Sequence, residues 1–217
     1  MILVPVKNFG DAKQRLSPVL GQAEREALAR AMLEDVLQAI AGVRPRQAVA
    51  IVTGDSWAEQ AARSLGFEII SDPSNESETA AIQMATAVCA SRGEDSTLVI
   101  PGDIPLIQSG EIEQVLAAAP AEGMVLVPAW DGRGTNAVLR RPADLFPLRF
   151  GNDSFQPHLE AAQLTGKECV VLNLAGIALD VDTPADLVQL LDASGNTRSQ
   201  DLLREWGHQP RAVAVNE

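Results

Sequence analysis

The sequence predicts an α/β fold with a mainly parallel, twisted sheet and helices on both faces. Two observations predict it. Short apolar runs rich in β-branched residues alternate with helical patterns from Ile2 to Pro128, the rhythm of repeated βαβ units. The runs are also nearly continuous in apolar residues, as in strands covered on both sides.

Ile2 to Val6 is the first strand, followed by a polar loop carrying Lys7, Gly10, Lys13 and Arg15. From Gly21 to Ala41 the apolar residues Leu28, Met32, Val36, Leu37 and Ile40 recur at helical spacing. Gln47 to Thr53 is a strand, closed by Gly54-Asp55-Ser56; a short helix from Trp57 to Leu65 ends at Gly66. Phe67 to Ile70 is a strand, Thr79 to Ser91 a helix, Ser96 to Ile100 a strand, Ser109 to Ala118 a helix and Met124 to Pro128 a strand. Beyond Pro128 the rhythm changes. Trp130 to Gly134 is a turn, Asn136 to Leu139 a short strand, and Pro142 to Gly151 irregular. Ser154 to Gln163 has a helical pattern and Cys169 to Leu174 is a strand. Thr183 to Leu191 is a helix with Thr183 as cap and Pro184 at its first position. One domain over 1–192 is expected, with 193–217 a tail whose apolar residues Leu202, Leu203 and Trp206 would suit a homodimer contact.

Composition narrows the function. The chain has 217 residues, 46% of them apolar, enough for one sizeable core. Its net charge of −12 repels nucleic acid and anionic membranes, and with no tyrosine and 4% aromatics it lacks a base-stacking platform. No apolar run is long enough to span a membrane, and Met1 to Lys7 does not read as a signal peptide. The two cysteines, Cys89 and Cys169, have no metal-type spacing and read as reduced thiols. A cytoplasmic location is expected.

Against this acidic background the first loop concentrates Lys7, Lys13 and Arg15 just past a strand's carboxyl end, the edge where open α/β sheets bind ligands. A polyphosphate would be held there by compact and forked cations. The loop has neither Walker nor dinucleotide spacing. Asp103 follows Pro101-Gly102 at the end of another strand, as either a turn residue or a metal ligand. Asp180 and Asp182, two apart at a strand-to-helix junction, point to one side in extended backbone. With Asp103 they could hold one Mg²⁺, which takes oxygen ligands and keeps phosphates and waters among them. Thr135, Asn136, Gly151 and Ser154 lie in two segments of small and hydroxyl-bearing residues. Gly lets a ligand approach the backbone, and Ser154 near a helix start adds a hydroxyl to free amides. His158, one of two histidines, reads as a packing or hydrogen-bonding residue. No nucleophilic triad or zinc pattern is present.

Five segments occur in order: Val4 to Leu16, Pro101-Gly102-Asp103-Ile104-Pro105-Leu106, Gly134 to Leu139, Phe150 to His158, and Leu179-Asp180-Val181-Asp182-Thr183-Pro184 onward to Leu187. Together they resemble the phospholactate guanylyltransferase family over about residues 1–190. The resemblance implies a single GT-A-like nucleotidyltransferase domain that transfers GMP from GTP, with release of pyrophosphate, in deazaflavin coenzyme biosynthesis. It implies as acceptor a small phosphorylated acid: 2-phospho-L-lactate, phosphoenolpyruvate or 3-phospho-D-glycerate. Asp103 then matches the first metal acid, and the second is Asp180 or Asp182. Thr135, Gly151 and Ser154, with Asn136 beside them, match acceptor contacts, and Lys7, Lys13 and Arg15 match the loop around the nucleotide's phosphates. Where that family often has Gly-Leu-Asn-x-Ala-Leu near the base and ribose, this chain has Asn75 to Ile82, with Glu76 and Glu78 as candidates for guanine recognition. An anionic acceptor phosphate needs no strong general base, which agrees with the lack of a catalytic His or Cys. The other readings are a nucleotidyltransferase for a molybdopterin or sugar-phosphate acceptor, whose first loops usually carry more glycines than the single Gly10 here, and a non-catalytic nucleotide-binding module.

Overall fold

The computed structural model describes residues 1–151 and 153–208. In chain order the strands are β1 (Ile2–Val6), β2 (Val49–Thr53), β3 (Glu68–Ser71), β4 (Thr97–Val99), β5 (Gly123–Pro128), β6 (Thr135–Arg141) and β7 (Glu168–Val171). The helices are α1 (Gln22–Gly42), α2 (Ser56–Ser64), α3 (Glu78–Ser91), α4 (Ser109–Ala117), α5 (Phe155–Leu164), α6 (Ala175–Ala178), α7 (Pro184–Asp192) and α8 (Arg198–Glu205).

Among the described residues these strands form one sheet in the order β3-β2-β1-β4-β6-β5-β7. β3, β2, β1 and β4 are parallel, and β5 and β7 are parallel to each other. Only β6 runs against its neighbours β4 and β5. Its direction follows from the short turn 129–134, which folds β6 back on β5 as a hairpin; Ala129 N–H to Gly134 C=O (2.9 Å) closes it.

Period-two alternation of β1 explains the two-sided core. Ile2, Val4 and Val6 face a cluster containing Leu28, Met32, Val36 and Leu37 of α1, whereas Leu3 faces a second cluster with Ile82 and Ala85 of α3 and Ala162 of α5. Each fully buried Leu or Ile side chain stabilises the fold by roughly 1.5–3 kcal/mol. α1 starts where the Gly21 N–H meets the Glu24 carboxylate (2.7 Å) and stops before Pro45. α7 starts at Thr183, as predicted, and Asp186 Oδ2 accepts from the Asp182 and Thr183 amides (3.1 and 2.7 Å).

Part of the segment expected as a tail is built into the domain. α8 lies on α1: Leu203 is fully buried, and Asp35 of α1 accepts from the Arg198 and Ser199 amides (2.8 and 3.0 Å). Of the apolar residues expected to suit a partner, Leu203 is therefore covered by this chain itself while Leu202 and Trp206 stay half-buried, and the remainder, 209–217, lies outside the described residues. Leu203→Ala is expected to lower unfolding free energy by about 2–4 kcal/mol. Chemical denaturation measures it, and an unchanged midpoint would contradict this docking.

Candidate active site

Basic and acidic groups gather at the carboxyl ends of β1 and β4. Beyond β1 the chain makes two tight 3₁₀ turns, Phe9–Asp11 and Gln14–Leu16, and Lys13 between them takes a left-handed conformation (φ 53°). That bend turns its ammonium inward. Lys13 Nζ lies 2.6 Å from Asp103 Oδ2 and 2.8 Å from Asp182 Oδ1, with its side chain only 9% exposed. Arg15 Nη1 approaches the other Asp182 oxygen at 3.8 Å. The loop after β4 and the segment before α7 are joined by the backbone, since Val181 N–H donates to the Asp103 carbonyl (3.1 Å). Val181 is fully buried, so Asp180 and Asp182 on either side of it reach the same opening.

Two cavities meet at this point. The first, about 480 Å³, is walled by Lys7, Phe9, Lys13, Met32, Leu33 and Asn75. The second, about 400 Å³, is walled by Arg15, Trp130, Arg133, Thr135, Gly151 and Ser154, with Asn136 and Asp180 behind. Glu78, Pro101, Asp103 and Asp182 line both. The first combines an apolar floor with two lysines; the second is polar and carries two arginines.

Crowded acids leave their mark on one another. Burial, and then the Asp103 carboxylate, push Glu78 up to about 7, against the opposing pull of Lys7 and Lys13. Burial and Asp103 likewise push Asp180 up to about 6, although Asn136 Nδ2 donates to it (3.1 Å). Lys13 holds Asp182 below the usual carboxylate range, more strongly than burial raises it. Burial alone would lower Lys13; the Asp103 and Asp182 carboxylates reverse that and raise it.

Among the described residues no three His, Cys, Asp or Glu side chains come close enough to enclose an ion by themselves. Asp103 and Asp182 nonetheless converge on one cation, the Lys13 ammonium. Two carboxylates with substrate phosphates and waters completing the shell is the donor set Mg²⁺ takes. Asp180 instead faces Asn136.

Most residues singled out in the sequence come together here, in different surroundings. Lys7 is exposed at the mouth of the first cavity and Arg15 belongs to the second. Asn136 is buried, and its amide donates to the Ile177 and Ala178 carbonyls (3.0 and 2.9 Å), so it ties β6 to α6 and to Asp180. Gly151 has φ +132°, a backbone conformation that L side chains rarely adopt. Ser154 caps α5 with no side-chain cap bond and lines the second cavity, whereas at α7 the Asp182 and Thr183 amides just before the helix already meet Asp186. Glu76 is exposed and lines neither cavity. Trp130 and Asn75 also line the cavities with no site signal in the sequence, and Arg133 lines the second within the Gly132–Asn136 segment.

His158 stands behind the second cavity. It is 1% exposed, and its ring takes an edge-on contact from Phe150, with centroids 5.3 Å apart. Burial, then the Arg140 guanidinium, push it down to about 4. A histidine near 6.5 when unfolded and about 4 when folded binds more protons unfolded between those pH values, so stability is lost as pH falls from 6.5 to 4. Glu78 and Asp180 act oppositely. Replacing the imidazole isolates its share: His158→Gln should remove a pH-dependent loss of up to about 3 kcal/mol across that window, read from denaturant midpoints. Parallel pH profiles would contradict the buried neutral ring.

Known proteins resemble this chain over most of its length. A family profile described as "Guanylyl transferase CofC like" matches residues 1–213. The 2-phospho-L-lactate guanylyltransferase of Methanothermobacter thermautotrophicus is 34% identical over 203 residues, 94% of this chain and 89% of that protein. The phosphoenolpyruvate guanylyltransferase of Roseiflexus castenholzii is 36% identical over 204 residues, 94% and 93% of the two chains. Among solved structures, a chain described as a nucleotide-diphospho-sugar transferase from Desulfovibrio desulfuricans G20 superposes with a TM-score of 0.77 at 25% identity, covering 94% and 93%. The sheet is thus of the GT-A-like nucleotidyltransferase kind.

Proposed function

The chain belongs to the CofC-like guanylyl transferase family, and from that premise we propose that it transfers GMP from GTP to the phosphate of a small phosphorylated acid. The acceptor class is 2-phospho-L-lactate, phosphoenolpyruvate or 3-phospho-D-glycerate, and the product would feed deazaflavin coenzyme biosynthesis in the cytoplasm. The observation that carries this reading is the meeting of two cavities at Asp103, Asp182 and Glu78. One chamber suits a nucleotide and the other a smaller anion. The two relatives named for guanylyl transfer to phosphorylated acids support the same pairing.

In this proposal the apolar floor of Phe9, Met32 and Leu33 receives the nucleoside, and Lys7 and Lys13 meet its phosphates. Arg15, Arg133, Thr135 and Ser154 hold the acceptor's phosphate and carboxylate. Asp103 and Asp182 would hold Mg²⁺; a bound ion there would offset the charge of both reacting phosphates. Glu78 lines both cavities where they join. An acceptor phosphate oxygen attacks the α-phosphorus, the bond from that phosphorus to the β-phosphate bridge breaks, and pyrophosphate leaves. Positioning and charge neutralisation carry the rate.

Purified protein with GTP, Mg²⁺ and each of the three acids should release pyrophosphate with at least one. Folded protein that binds GTP tightly but releases none with any acid, or with a sugar phosphate, would instead favour the binding-module reading.

A further inference from the structure

The wall of the second cavity contains a hydrogen-bond chain whose direction can be fixed. The Arg149 backbone N–H points at His158 Nε2 (2.9 Å). A backbone amide only donates, so Nε2 carries the lone pair and the ring is neutral. Its proton is then on Nδ1, 3.0 Å from Thr135 Oγ1. Nδ1–H therefore donates to the Thr135 hydroxyl, which accepts through its oxygen. The hydroxyl's own proton has no acceptor among the described residues, and Thr135 lines the second cavity.

The other protonation states break the chain. An Nε2–H tautomer would set N–H against N–H at Arg149, and an imidazolium would do the same. The ring is nearly fully buried, with Phe146 and Phe150 around it, so water does not substitute for either partner. The same ring thus joins β6 to the strap 149–151. α3 holds that strap from the other side, where Phe150 N–H donates to Thr79 Oγ1 (3.0 Å).

We propose that His158 is a positioning residue that sets Thr135 as an obligate hydrogen-bond donor into the acceptor cavity while pinning the 149–151 strap that completes it. The residue touches no substrate. Its consequence is selectivity: at this point the wall accepts a ligand oxygen that carries no proton, as phosphates and carboxylates do at neutral pH, and disfavours a ligand group that must donate. This inference rests on the acceptor assignment made above.

Two arms test it on the full chain. With ¹⁵N-labelled histidine only His158 and His208 give ring signals, and His158→Gln identifies which is which. The expected result at pH 7 is a neutral ring protonated on Nδ1; an Nε2–H ring or an imidazolium would overturn the relay. In the second arm, calorimetry measures binding of 2-phospho-L-lactate, phosphoenolpyruvate and 3-phospho-D-glycerate to wild type, and of whichever the wild type binds to Thr135→Val, His158→Gln and the double variant. Each single change should weaken binding about tenfold, the scale of one hydrogen bond to a charged group. The double variant should be no weaker than Thr135→Val, because both act through one hydroxyl. His158→Asn, whose amide can donate near the Nδ1 position, should recover part of the loss. Additive losses, or wild-type affinity in His158→Gln, would overturn the proposal. If the wild type binds none of the three acids, the acceptor assignment fails instead, and the tautomer then decides the relay alone.

Discussion

Asp103→Asn should lower turnover by about a thousandfold while changing unfolding free energy by no more than about 1 kcal/mol. Asp103 lines both cavities and shares the Lys13 ammonium with Asp182. Converting one carboxylate to an amide removes half of the anionic pair that would hold Mg²⁺ and the charge it would offset. Lys13 keeps Asp182 as a partner, so no buried charge is stranded. Steady-state kinetics and a denaturant curve on the same preparation measure the two quantities. Near-normal turnover, or a large loss of stability with turnover lost in proportion, would make Asp103 a structural turn residue.

The second large effect concerns Lys13. Lys13→Met leaves Asp103 and Asp182 facing one opening without the cation that joins them. Breaking a buried pair by removing one partner costs about 3–5 kcal/mol. Here the carboxylates are 31% and 40% exposed, so water screens part of the repulsion and about 1–3 kcal/mol is expected. The loss should be largest with a chelator present, and millimolar Mg²⁺ should restore much of it by occupying the place between the carboxylates. In the wild type without nucleotide, Mg²⁺ should shift the melt far less, because the Lys13 ammonium already sits between the two carboxylates. Melts of both proteins with chelator and with Mg²⁺ settle this. A variant melt that ignores the ion would contradict the pairing of Asp103 with Asp182 as its ligands.

The parallel half of the sheet could be read from the sequence because β1, β2 and β4 are buried on both faces and are apolar at every position but Thr53 and Thr97. The antiparallel placement of β6 was less visible. Its residues read only as a short strand, and a hairpin's direction depends on how the turn 129–134 closes. α8 is hidden in the sequence because its polar, Gly- and Ser-containing approach has the composition of a tail, while the burial of Leu203 depends on a distant helix. At the site, the spacing of Asp180 and Asp182 put both on one side, yet it could not separate them. What separates them is tertiary: Lys13 reaches Asp182 from β1's loop, and Asn136 reaches Asp180 from β6. Asn136 stands in sequence beside Thr135 as if it were a ligand contact, but its donors go to α6 carbonyls. His158, read as a hydrogen-bonding residue, does hydrogen-bond, and only the direction of those bonds gives it a part in the site.

The central claim is that an oxygen of a phosphorylated acid attacks the α-phosphorus of GTP where the two cavities join. The most direct measurement is ³¹P NMR and mass spectrometry of products from GTP, Mg²⁺ and acceptor acids carrying ¹⁸O in their phosphate groups, offered in competition. The account predicts a guanylylated acid with ¹⁸O in the bridge between its two phosphorus atoms, and unlabelled pyrophosphate. Pyrophosphate released with GMP alone, or no guanylylated acid at all, would contradict it.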